Sequence, residues 1–447
     1  MNDKSLYFGW GGVLRRLKNL DMWLCSLQHF IFGVANAAAV PIVVGSALGL
    51  NTAEIATLAQ RTFLFAGIAS LLQAFLGHKY PIFEGPAGVW YTTFVVLGNI
   101  AVQTGMPLHM LRTDLMTGML AAGVMSIIIG MFGLMHFIRK LFTPLVNSIF
   151  LLVMALQFSS TLAHGLVKTV NHNSVLDLTQ LVVFMVVIVT ILFLSLKAHG
   201  FLRNVAVLVG TLAGWIAAYI VGSAPPLPRS ILAAHALLAW PQLLAWGLPS
   251  FNLGVTITML LAGIVVLSNL IASVEGMDEL HQRPTQDLRY NRAVLCTGIA
   301  DLLAGVGSVV GFIPYASSIG FATLTGVLDL LPFILGSVIL AVLGLMPAVG
   351  SFFAGMPITV GYAVIFSVFI MITGMGVKLA SQGSMDTRKT VILGFSVLSG
   401  NAISFLPPTA FEFIPAGMTF LLANGLVVAV LIALLLEHVV FRDKVNV

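Results

Sequence analysis

Two stretches interrupt an otherwise apolar chain: Tyr80-Pro-Ile-Phe-Glu-Gly-Pro-Ala-Gly-Val-Trp90 and Gly311-Phe-Ile-Pro-Tyr-Ala-Ser-Ser-Ile-Gly320. Proline lacks an N–H and breaks a helix, and glycine permits an extended backbone. Inside a bilayer the freed N–H and C=O groups must face protein, water or solute. Each stretch follows two apolar spans of its half, the halves beginning near Met22 and Leu253. Gly/Pro-interrupted spans at corresponding places in two halves predict a solute site at the membrane midplane.

Composition agrees with a membrane setting. Of 447 residues, 59% are hydrophobic and 8% charged, where a soluble domain carries about 25% charge. Since about 20 apolar residues cross a bilayer, the chain reads as an all-α polytopic protein of about fourteen spans: 22–48, 54–77, 83–102, 114–135, 139–159, 176–196, 204–222, 253–276, 291–310, 315–327, 330–350, 356–377, 389–406 and 416–438. An even count places both termini on one side. Of 21 Lys and Arg residues, Arg112, Lys168 and Arg229 fall on the other side and Arg61 within the second span, where it is expected to snorkel to the outer interface. All the rest lie on the side of the termini, which the positive-inside rule makes the cytoplasm. The predicted location is the cytoplasmic (inner) membrane, with lipid as the surrounding partner.

The net charge of +5 follows from this topology and needs no nucleic acid. Cys25 and Cys296 stand singly in separate spans and read as packing residues without metal spacing. No GxxxxGK[ST] loop, HExxH, paired-Cys motif or GxSxG elbow occurs, which argues against direct ATP use and against an enzyme; no cofactor or metal is expected. The segment 223–252 is Pro-rich and then apolar, and reads as a candidate amphipathic piece at the outer interface.

The first span carries a Gln28-His29 pair, a run of small residues and Val40-Pro41. Together with Ser317-Ser-Ile-Gly-Phe-Ala-Thr-Leu-Thr-Gly326, this resembles the nucleobase–ascorbate transporter family (nucleobase/cation symporters). That family's signature is an acid or Gln, then Asn, any residue, Gly, four residues and Thr. The resemblance covers essentially the whole chain. It implies two inverted seven-span repeats, 1–222 and 253–447, with interrupted spans 3 and 10. A core domain of spans 1–4 and 8–11 (about 22–135 and 253–350) would move against a gate domain of spans 5–7 and 12–14 (about 139–222 and 356–438). It also implies a homodimer and elevator-type uptake of a purine or pyrimidine base such as xanthine, uric acid, adenine or uracil, coupled to H⁺ or Na⁺. An anion carrier of the same seven-plus-seven fold, or an uncoupled nucleobase facilitator, is the alternative.

The chain departs from the family where its acids usually stand. Asn269 and Ser273 occupy the span-eight positions, and Ser317 and Ser318 those of span ten. The expected substrate contacts are His29, Val89, Trp90, Asn269, Ser273, Ser317 and Ser318, with Trp90 as a stacking surface worth about 1–3 kcal/mol per base. Half-helices starting near Pro86 and Ser317 would aim N-terminal N–H groups at the solute. Two acids remain as coupling candidates. Glu84, in the first interrupted stretch, costs about 2.5–3.5 kcal/mol at membrane depth and calls for a partner or a function. Glu275 lies near the cytoplasmic end of span eight, where an interfacial carboxylate is the plain reading. Asp301, in span nine, reads as a structural hydrogen-bonding residue.

Overall fold

The computed structural model describes residues 20–164, 166–170, 173–199, 201–225, 236–282, 287–325, 327–411, 413–414 and 422–441. The chain is mainly helical. Its first half contains α1 (Leu20–Ala37), α2 (Val40–Ala47), α3 (Thr52–Phe75), a short strand β1 (Glu84–Pro86), α4 (Gly88–Thr104), α5 (Leu108–Phe132), α6 (Met135–Leu141), α7 (Pro144–His164), the strands β2 (Val167–Val170) and β3 (Asn173–Leu176), α8 (Leu178–Lys197), α9 (Phe201–Asn204) and α10 (Ala206–Ile220). The second half contains α11 (Leu253–Leu280), α12 (Asp287–Gly307), β4 (Phe312–Pro314), α13 (Ser317–Thr325), α14 (Leu330–Gly344), α15 (Pro347–Ala354), α16 (Ile358–Ala380), α17 (Thr387–Ile403) and α18 (Gly425–Leu435).

Local chemistry sets several boundaries. Asn51 and Glu54 form a reciprocal capping box at the start of α3. Gly105 and Gly133 end α4 and α5 in the left-handed conformation. Pro41 sits in the first turn of α2, and the apolar run read as one span over 22–48 turns at Ala38–Ala39. Proline has no N–H to donate to the carbonyl one turn back, so the helical ladder is interrupted there.

Six described helices or helix runs are long and apolar enough to cross a membrane: Leu20–Ala47, Thr52–Phe75, Leu108–Phe132, Leu178–Lys197, Leu253–Leu280 and Ile358–Ala380. A seventh is reached if α14 and α15, bent by 82° at Leu345–Met346, count as one. The other apolar stretches form shorter helices, because strands and prolines take residues from them: α4 keeps 17 and α13 only 9. The β2–β3 hairpin, antiparallel from Val167↔Leu176 to Val170↔Asn173, was not foreseen. In the 223–252 segment, residues 226–235 lie outside the described residues. Residues 236–252 form no helix, and Trp246 tucks its ring against Phe94 at 6.2 Å.

Two sets of helices pack among themselves. In one, α5 lies along α12 and α11, while α3 lies between α14, α15 and α12, and α1 joins α14. In the other, α7, α8, α10, α16, α17 and α18 pack on one another. The α5–α12 crossing is tight because Gly123 and Gly298 face each other; a Cβ on either would come 2.8 or 2.7 Å from the other's carbonyl oxygen. Small residues at such crossings let backbones touch where lipid supplies no hydrophobic drive. Gln73 ties the first set across its middle, donating to the Ala293 carbonyl and Thr297 Oγ1, both at 3.0 Å.

Arg61 is 1% exposed and donates to Thr57 Oγ1 at 3.2 Å, one helical turn nearer the start of α3.

Candidate functional site

The two interrupted stretches meet. β1 and β4 pair antiparallel, with Glu84 opposite Pro314, Gly85 opposite Ile313 and Pro86 opposite Phe312. Flanking bonds extend the contact: Tyr315 N donates to Phe83 O at 2.9 Å and Ala87 N to Gly311 O at 3.0 Å. Proline cannot donate within a ladder, so each strand is limited to three residues and each carries its proline at the C-terminal end. A helix follows each strand at once. Because the strands are antiparallel, α4 and α13 leave the crossing from opposite ends, and their N-terminal partial positive charges converge on it.

Side chains lock this crossing to its surroundings. Ser318 Oγ, 2% exposed, accepts from Phe83 N at 3.1 Å and so joins the second interrupted stretch to the first. Ser273 is fully buried on α11; its hydroxyl lies 3.1 Å from Pro314 O and 3.0 Å from Asn269 O. Ser70 Oγ accepts from Glu84 N at 2.9 Å. Tyr315 Oη donates to Pro86 O at 3.1 Å, with Asn36 O of α1 at 3.4 Å.

Aromatic rings line the adjoining space in a continuous file. His29 meets Phe321 edge-on at 4.9 Å, Phe321 meets Phe32 at 5.1 Å, Phe32 meets Phe83 at 6.3 Å, and Phe83 meets Tyr315 at 6.1 Å. His29 is 4% exposed and its Nδ1 lies 2.9 Å from Cys25 O, the helical carbonyl one turn back. A carbonyl partner assigns the proton to Nδ1, leaving Nε2 an acceptor with no protein partner among the described residues.

Behind the strands lies a second polar group. Glu84 is fully buried; its Oε1 stands 3.4 Å from His78 Nε2, and its Oε2 has no partner among the described residues. His78 Nδ1 accepts from Tyr80 N at 3.0 Å, which places the neutral ring's proton on Nε2, toward Glu84. Asp301, 1% exposed, lies against Gly311, where a Cβ would come 2.6 Å from its Oδ1, and within electrostatic reach of Glu84. On the side of the basic loops, Tyr80 Oη donates to Asp278 at 2.5 Å while Arg289 binds both and lies 5.0 Å over the Tyr80 ring.

Of the residues expected at the site, Ser273, Ser318 and Glu84 bond to the strand crossing or form part of it, and His29 joins its aromatic file. Val89 is buried in the first turn of α4, Asn269 is half-buried on α11, and Ser317 is exposed at the start of α13. Trp90 is 0% exposed, its indole covered by Gly263 of α11 and by Gly311, whose carbonyl accepts from Ala87 N at the edge of the crossing. Glu275 is exposed on α11. The reading passed over Tyr315, Phe83, Phe32 and Phe321. Tyr315 and Phe83 stood inside the interrupted stretches, Tyr315 directly after Pro314 and Phe83 directly before Glu84, and that position was the available signal. Phe32 and Phe321 had none, because an apolar ring in an apolar helix looks like packing.

Comparison with known proteins places this geometry. The xanthine/uracil permease family model, described as the Permease family, matches residues 21–409. The chain is similar to YwdJ of Bacillus subtilis (strain 168), which carries a purine-permease name, at 28% identity over 421 residues, 93% of this chain and 95% of that protein. It is similar to uric acid permease PucK of the same organism at 25% identity, covering 95% of this chain and 96% of that one. Among solved structures, the transmembrane domain of the cyanobacterial bicarbonate transporter BicA matches with a TM-score of 0.57 at 16% identity, over 86% of this chain and 97% of that one. The likeness to BicA is one of fold.

Proposed function

For a chain that belongs to the Permease family, and is thus a multi-pass membrane permease and no enzyme, we propose uptake of a nucleobase: a purine such as xanthine, uric acid or adenine, or uracil. The observation that carries this reading is the β1–β4 crossing, where two helix N-termini and an aromatic file converge. Helix N-termini supply N–H donors for the carbonyl oxygens of a base. The half-buried ring of Tyr315 supplies a face for a planar heterocycle, in file with the buried rings of Phe83, Phe32 and Phe321, with stacking worth about 1–3 kcal/mol per base. His29 Nε2 adds an acceptor at the end of that file. The names of the uric acid and purine relatives point to the same solute class.

The proposed architecture is the fourteen-span pair of inverted repeats. The set containing α1, α3, α5, α11, α12 and α14 would be the mobile core and the other set the gate, in a homodimer with both termini cytoplasmic. The strand-then-helix unit that occurs once in each half supports this reading, as does the separate packing of the two helix sets. The core would carry the crossing across the membrane in an elevator movement.

Proton coupling is assigned to Glu84, the carboxyl within the paired strands, with His78 and Asp301 as its buried neighbours. Glu84→Gln keeps the shape and removes the exchangeable proton. In proteoliposomes the variant is expected to exchange labelled for unlabelled base while losing accumulation driven by an imposed pH gradient. Retained accumulation would exclude Glu84 as the carrier. Uptake of labelled xanthine, uric acid, adenine and uracil by transport-deficient cells tests the substrate class itself; uptake of none of them refutes it.

A further inference from the structure

A cavity of about 150 Å³ lies well away from the strand crossing. It sits where the C-terminal ends of α4, α7 and α17 come together, beside the start of α18. Asn99 and Gln103 reach it from α4, Gln157 from α7, Asn401 from α17, and Ser404 and Phe405 from the chain that follows. Asn99 stands eleven residues beyond Gly88, so the cavity is roughly 16 Å along α4 from the crossing. It is at the end of these helices opposite the basic loops, which the orientation proposed above makes the outer face.

Three features define what would bind. First, among the described residues no charged side chain lines the cavity. Second, its lining is rich in carboxamides. Gln157 is 8% exposed, and both its amide nitrogen and its amide oxygen lack a partner among the described residues. An unmatched buried amide is costly, and a ligand bearing an adjacent donor and acceptor would satisfy both atoms together. Nucleobases carry such an edge, and Gln and Asn pair with base edges in this bidentate way. Third, Phe405 is 78% exposed, an aromatic face at the rim that a flat ring can cover.

The position adds a consequence. α4 packs with the strand-bearing set, whereas α7, α17 and α18 belong to the other. The cavity therefore straddles the boundary between the two sets, and any sliding of one against the other remakes it.

We propose that this cavity is a second, outer nucleobase site, where an uncharged planar heterocycle is recognised before it reaches the strand crossing. The inference rests on the transport reading above. Its test compares right-side-out and inverted membrane vesicles, with labelled xanthine and labelled uracil as probes. Gln157→Leu replaces the amide with an apolar side chain of similar size, and Gln103→Leu changes an exposed residue at the rim. Each variant is expected to raise KM for entry from the outer face, Gln157→Leu by at least about fivefold, the equivalent of one lost hydrogen bond. KM from the cytoplasmic face and the maximal rate of entry stay at wild-type values, while the maximal rate of exit falls by the same factor, because the two directions share one equilibrium. No rise in either variant, or equal rises from both faces, overturns the outer site while leaving the transport reading intact. Wild-type vesicles that move neither probe, nor adenine or uric acid, overturn the transport reading and the outer site with it.

Discussion

Gly85→Ala tests the strand crossing most directly. Gly85 lies at the centre of β1, opposite Ile313, and its φ is outside the left-handed region, so the demand for glycine is steric. A Cβ built there would stand 2.3 Å from Cζ and Oη of Tyr315 and 2.4 Å from Cε2. Carbon atoms in contact prefer about 3.5–4.0 Å, so the ring must retreat by roughly an ångström. It is held by its hydroxyl, which donates to Pro86 O, and by Phe83 alongside. Overpacking of this kind costs about 1–3 kcal/mol and the lost hydrogen bond about 1 more. The sum, about 2–4 kcal/mol, corresponds to a drop in affinity of at least about thirtyfold if the strain falls on the bound state. The assay is a double-mutant cycle on labelled-base binding and thermal stability of the purified protein. Tyr315→Leu removes the obstructing ring, so the Gly85→Ala penalty should largely disappear in that background. A Gly85→Ala protein with wild-type binding and stability refutes the reasoning, as does a penalty of the same size in both backgrounds.

Ser318→Ala strands the Phe83 N–H, a buried donor, and should lower stability by about 1–3 kcal/mol. Ser318→Thr keeps the acceptor and should melt near the wild type, so equal melting of all three proteins would argue against the bond. Arg289→Ala leaves Asp278, 2% exposed, without its cation and should destabilise by about 3–5 kcal/mol, read as loss of folded protein in detergent. Adding Asp278→Asn should restore much of the yield, because the uncompensated charge is then gone; a double variant worse than Arg289→Ala contradicts this account.

Much of the architecture was legible in the sequence because its causes are local. The apolar runs mark a chain that must satisfy its backbone within lipid, and Pro81, Pro86 and Pro314 with their glycines mark where helix cannot continue. The Gln28-His29 and Ser317–Gly326 patterns pointed to the family that the chain belongs to. What the sequence could not order was direction and partnership. Trp90 and Val89 are neighbours in the chain, yet the helical rotation sends the Trp90 ring into packing at Gly263 and Gly311. Arg61, read as an interfacial residue, is 1% exposed in the folded chain. That β1 pairs with β4, that Ser318 serves Phe83, and that Gln157 ends beside Asn401 are contacts between distant parts of the chain. No periodicity encodes them; they arise when two halves with breaks at matching places pack together, and each exposed backbone group must then find its partner across the crossing.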